Sequence, residues 1–85
     1  MIRKSTHSKA YSAVLSLLIE ARRKAGLTQT ELSALLHFEQ PSISKIERGE
    51  RRIDIIELRT ICEKLGIDFV DFVKKLDRKL KDEDA

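Results

Sequence analysis

Tryptophan is absent from this 85-residue chain, and one tyrosine and three phenylalanines make up all its aromatics. A hydrophobic core must therefore be aliphatic. Cysteine occurs once, as Cys62, which excludes an internal disulfide. No stretch approaches the roughly 18 consecutive apolar residues that mark a membrane span. The run "AVLSLLIEA" is interrupted by Ser16 and ends at Glu20, with no small-residue cleavage site behind it, so it does not read as a signal peptide. Three glycines and one proline leave no glycine-rich phosphate loop. No Ser, His and Asp set and no paired-carboxylate arrangement points to catalysis. His7, His37 and Cys62 lack metal-ligand spacing. The expectation is a cytoplasmic, nucleoid-associated protein that is not an enzyme and takes no cofactor or metal.

What remains is aliphatic and highly charged. Hydrophobic residues make up 41% of the chain and charged residues 36%, enough for one small core beneath a heavily solvated surface. The length is that of a single domain spanning 1–85, close to the size at which one core becomes marginal. A formal net charge of +3 and a pI near 9.2 lean mildly toward a polyanionic partner.

Helix signals divide the chain into five pieces, and no alternating strand pattern competes with them. The first helix is expected from about Thr6 or Ser8 to Ala25, with Tyr11, Val14, Leu15, Leu18, Ala21 and Ala25 on one face. Arg22, Arg23 and Lys24 complement the dipole in its last turn, and Gly26 stops it. The second opens on a capping box, Thr28 with Glu31, flanked by the pair Leu27 and Leu32, and reaches about Leu36. The fourth repeats this device with Asp54, Glu57, Ile53 and Leu58, buries Leu58, Ile61, Cys62 and Leu65, and stops at Gly66. The fifth starts at Asp68 with Ile67 and Phe72 and runs to about Lys81, leaving 82–85 as a frayed tail. Cys62 reads as a core thiol.

The third helix is short and polar. In "HFEQPSISKIERGERR" the apolar residues are Phe38, Ile43 and Ile46. Phe38 and Ile43 spaced as a staple make Glu39 the N-cap, whereas Pro41 at the first helical position makes it Gln40. Gly49 supplies the left-handed residue after the end. With Ile43 and Ile46 turned inward, Gln40, Pro41, Ser44, Lys45 and Arg48 share the opposite, basic side.

Two helices joined by a few residues, the second short and polar outward, describe a helix-turn-helix, with its motif core at about 28–48. From Arg22 to Leu65 the chain resembles the lambda-repressor-like DNA-binding domains of the Cro and Xre family. The resemblance lies in the "GLTQ-x-EL" opening, the "Q-x-S-I-S-K-I-E-R-G-E-R-R" block and the "L-x-x-I-x-x-x-L" helix behind it. It implies an all-α, five-helix lambda-repressor-like domain that binds double-stranded DNA. It also implies that Gln29 touches phosphate and buttresses Gln40, and that Arg22 and Glu47 form an ion pair between the first and third helices.

The side-chain chemistry fits that implication. A Gln amide is both donor and acceptor, as pairing with adenine in the major groove requires, and Lys45 can donate to guanine or to phosphate. Base reading is thus expected from Gln40, Ser42, Ser44 and Lys45, and backbone contact from Gln29, Arg48, Arg51 and Arg52. Two departures from the family pattern stand out. His37 takes the place of the turn glycine and has to accept positive φ, at about 1 kcal/mol. Pro41 replaces a polar reader with apolar surface.

In the fifth helix Phe69, Val73, Leu76 and Leu80 fall at heptad-like spacing and are expected to form a homodimer seam, while Val70 and Phe72 face the domain's own core. The function expected is a sequence-specific transcriptional regulator, of repressor or controller type, bound to an inverted-repeat operator. The alternative is an antitoxin that binds a toxin protein and autoregulates its operon.

Overall fold

The structure, a computed structural model, describes residues 8–38 and 42–84, with side chains as far as Asp82. It contains α1 (Lys9–Lys24), α2 (Gln29–Leu36), α3 (Ser42–Glu47), α4 (Ile55–Leu65) and α5 (Phe69–Asp84). Among the described residues there is no strand, so the architecture is the all-helical one expected.

The helices α1, α2, α4 and α5 each start where a side chain accepts from a backbone N–H that has no intrahelical partner. The Ser8 hydroxyl accepts from the Tyr11 N–H at 3.0 Å. Thr28 and Asp54 each form a reciprocal capping box, with Glu31 and Glu57, and Asp68 accepts from the Asp71 N–H at 3.0 Å. Caps of this kind contribute about 1 kcal/mol each. The start of α3 at Glu39, Gln40 and Pro41 lies outside the described residues, so the choice of N-cap does too.

The first four helices end in one way. At each end the chain turns through a left-handed residue and donates two N–H groups back to the last turn: Gly26 and Leu27 to Arg23 and Arg22, His37 and Phe38 to Ala34 and Ser33, Gly49 and Glu50 to Ile46 and Lys45, Gly66 and Ile67 to Glu63 and Cys62. This is the Schellman pattern, which satisfies carbonyls that a bare end leaves orphaned. Three of the four use glycine. His37 adopts φ 58° with a side chain attached, and α2 and α3 pack against each other.

The core brings Leu15, Leu17 and Leu18 of α1 against Leu32 and Leu36, Ile43 and Ile46, Leu58, Ile61, Cys62 and Leu65, and Phe72. Burying Ile43 and Ile46 almost completely contributes about 1.5–3 kcal/mol for each side chain and fixes the roll of α3. Ser33, also buried, is a small residue on α2, the helix packed against both α3 and α4. At the far end the Tyr11 hydroxyl accepts the Ile53 N–H at 3.1 Å and ties the start of α1 to the segment before α4.

Several expectations about faces need correction. On α1 the buried stripe includes Ala13 and Leu17, and Ala25 is exposed. The periodicity places a stripe correctly to within a residue, but its centre is set by which helices lie against it. Val70, expected inside, is exposed, whereas Phe72 is buried. The α5 helix continues to Asp84 rather than ending near Lys81, with Lys81 paired to Asp77 one turn back at 3.2 Å.

Candidate nucleic-acid interface

With Ile43 and Ile46 inward, α3 turns Lys45 fully to solvent and leaves Ser42 and Ser44 half-buried. Gln40 and Pro41 lie outside the described residues, so the base-reading set is seen only from Ser42 onward. The Lys45 ammonium forms no hydrogen bond or ion pair with another described residue, and neither does the exposed side chain of Arg52.

The inner side of α3 is held by a polar clamp. The Arg22 guanidinium donates Nε to Glu47 Oε2 at 2.7 Å and Nη2 to Oε1 at 3.1 Å. Its Nη1 donates to the Leu27 carbonyl at 2.7 Å. Gln29 Nε2 adds a hydrogen bond to Glu47 Oε1 at 2.8 Å. One carboxylate thus joins α1, α2 and α3. Both charges are almost fully withdrawn from water, a situation tolerated only when charge and hydrogen-bonding capacity are both answered, and no described buried side-chain polar atom lacks a partner. The Gln29 amide nitrogen, expected to serve phosphate, is engaged in this clamp, while its carbonyl oxygen faces no described donor.

Beyond α3 the cations are mostly paired. Arg48 donates Nε and Nη2 to Glu50 at 2.9 and 3.0 Å, and Nη1 to the Ser44 hydroxyl. Arg51 donates to Glu57 at 2.7 and 3.3 Å and to the Arg52 carbonyl at 3.3 Å. Its guanidinium also sits 5.6 Å from the Phe38 ring centroid, within cation–π range. Arg51 therefore links the turn before α3 to the first turn of α4. The hydrogen bond from Arg51 holds the Glu57 carboxyl below the usual carboxylate range, assisted by the Asp54 N–H and opposed by burial. Glu50 is lowered likewise, first by its hydrogen bond from Arg48.

Sequence reasoning missed the carboxylates in these contacts. Glu57 was legible as a capping residue, but its second role depends on the path by which Arg51 returns to it. Glu50 carried a local signal, a carboxylate two residues from Arg48 across a glycine. Among the described residues, no group of three or more His, Cys, Asp or Glu is placed to hold a metal ion. Burial pushes the Cys62 thiol up to about 11, so it stays protonated and unreactive. No helix among the described residues is long and apolar enough to cross a membrane.

On α5, Phe69 and Leu76 pack partly against the core, Leu80 is half-buried, and Val73 is exposed beside Val70. Two further apolar side chains, Ile55 and Ile56, stand exposed on the first turn of α4. The sequence pattern gave no reason to single them out.

A helix-turn-helix family model matches residues 18–72. The chain is similar to an uncharacterized HTH-type transcriptional regulator, y4dJ, of Sinorhizobium fredii, with 39% identity over 56 residues, covering 66% of this chain and 73% of the relative. It is similar also to a solved structure of an XRE-family like protein from Pseudomonas syringae pv. tomato, with TM-score 0.81 and 43% identity over 89% of this chain and 93% of that one.

Proposed function

The chain belongs to the Cro/Xre-type helix-turn-helix family, a non-enzymatic family of DNA-binding transcriptional regulators, and on that premise we propose that α3 enters the major groove of an inverted-repeat operator as one half of a homodimer. The observation that carries this reading is the two-sided anchoring of α3. Its isoleucines are sunk in the core and Glu47 is clamped from α1 and α2, so Ser42, Ser44 and Lys45 are presented on a rigid support. With Gln40 they form the base-reading set. Arg52, unpaired and exposed, is the primary phosphate contact. Arg48 joins it on the backbone, and Gln29 contributes by holding Glu47 and through the second N–H of its amide nitrogen. Arg51 acts chiefly by positioning the turn.

A single short helix reads only a few base pairs, and a two-fold pair places two such helices about 34 Å apart on one face of the duplex. We assign the dimer contact to the seam of Phe69, Val73, Leu76 and Leu80. The exposed Val73 and Val70 support this assignment, and the partial burial of Phe69 and Leu76 narrows the seam toward the valines. Operator occupancy by such a dimer regulates sterically, in the cytoplasm, by excluding or recruiting polymerase.

Selection of bound sites from random duplexes tests the reading. The expected result is an inverted repeat, with most discrimination lost in Gln40→Ala and near-uniform weakening in Arg52→Ala. Recovery of no preferred sequence would sink it. Sedimentation separates the dimer claim: Val73→Glu should give monomers, and a monomeric parent protein, free and on DNA, overturns it.

A further inference from the structure

Four cations, Lys45, Arg48, Arg51 and Arg52, surround the C-terminal end of α3, yet two of them already hold a carboxylate. The Arg48 pair is built by the backbone. Gly49, at φ 78°, reverses the chain so that the Glu50 and Arg51 N–H groups both donate to the Lys45 carbonyl, at 2.9 and 3.2 Å. That reversal sets the Glu50 carboxylate against the Nε and Nη2 edge of Arg48 at 2.9 and 3.0 Å. This is the guanidinium edge that a DNA phosphate engages in bidentate fashion. The remaining Nη1 side donates to Ser44.

We propose that Glu50 is an affinity-setting residue, an internal competitor that occupies the phosphate-binding edge of Arg48 until DNA displaces it. The inference rests on the DNA-binding reading above and adds to it a residue with no base or phosphate contact of its own. A phosphate that takes Arg48 has to break two hydrogen bonds to Glu50 and then lie near a free carboxylate. Every duplex meets that penalty, because phosphates are the same in all sequences. Only at a correct site do the contacts of α3 with base edges offset it. Glu50 therefore lowers affinity for arbitrary DNA and for the operator by a similar factor, so that tight binding is left to sites whose base contacts make up the difference. Arg51 differs: Glu57 and the Phe38 ring hold it in a less exposed position, where it serves as a brace.

The test uses the full chain and its Glu50→Gln, Arg48→Gln and doubly substituted forms, with Glu50→Ser as a second neutral replacement. Fluorescence anisotropy measures binding to a mixed-sequence duplex and to a selected operator across a KCl series. Glu50→Gln should bind the mixed duplex roughly 1.5-fold to fivefold more tightly at about 0.15 M salt, the range of exposed single-charge effects. Its log–log salt slope should steepen by roughly 0.9, one additional phosphate contact. The operator should gain by a similar factor, so that the operator-to-mixed ratio changes little, and both gains should vanish when Arg48 is also Gln. Equal or weaker binding by both neutral variants, with the parent still binding its operator, overturns this inference alone. Failure of the parent to bind any duplex overturns the functional reading and this inference with it.

Discussion

Two chemically similar ion pairs meet the C-terminal end of α3 in opposite surroundings. At the inner side Arg22 and Glu47 are 9% and 7% exposed; at the outer side Arg48 and Glu50 are 52% and 56% exposed. Both are two-pronged arginine–carboxylate contacts. Burial makes the first a structural commitment, because neither charge has water to return to. Exposure makes the second exchangeable, since solvent, salt or a phosphate can replace either partner at little cost. Arg51 and Glu57 fall between, at 36% and 24%. Withdrawal from water therefore separates the residues that build the reading head from those free to act on DNA.

Removing the carboxylate from each pair puts the largest strain on this comparison. Glu47→Ala should cost about 3–5 kcal/mol, since it strands the buried Arg22 charge, whereas Glu50→Ala, which removes an exposed partner, should leave stability essentially unchanged. Urea unfolding measures both, and equal losses would break the distinction. Arg22→Lys sharpens it by keeping the charge and removing the fork. A loss of about 1.5–3 kcal/mol is expected as charged hydrogen bonds to Glu47 and Leu27 disappear.

The middle pair should respond modestly, and to acid. Arg51→Ala is expected to cost about 0.5–1 kcal/mol, including the lost contact with Phe38. Because the Glu57 carboxyl is lowered in the folded protein, chiefly by its hydrogen bond from Arg51, its stabilisation is complete above the usual carboxylate range. It is lost as pH falls through the lowered folded value. Urea midpoints of the parent and Glu57→Gln should accordingly differ near neutral pH and converge in acid. Smallest of all, Arg48→Ala should leave the midpoint indistinguishable from that of the parent. Raising KCl should erode the Arg48 contribution while leaving that of Arg22 nearly unchanged.

Features that depend on a few neighbouring residues were legible in advance. Thr28 with Glu31 and Asp54 with Glu57 cap their helices, Gly26, Gly49 and Gly66 turn through positive φ, and His37 does so in place of glycine. The isoleucine pair of α3 was legible because its spacing leaves one narrow face to bury. The centre of the α1 stripe was not, because Leu17 and Ala25 both fit the period and only the packing partners separate them. Val70 went wrong because, two positions from Phe72, it lies on nearly the opposite side of α5, and it is Phe72 that faces the core. For the interface, residue types pointed to cations around α3, but nothing local said that Arg51 would be braced or that Gln29 would turn its nitrogen to Glu47.

The sequence by itself determined where helices start and stop, which residues of α3 face inward, and that a basic polar surface remains outside. Capping, left-handed turns and hydrophobic period act over a few residues and need no distant partner. Only the tertiary structure decided which charges are spent internally. The strength and permanence of an ion pair depend on how much water surrounds it, and neighbouring water is set by the packing of segments far apart in the chain.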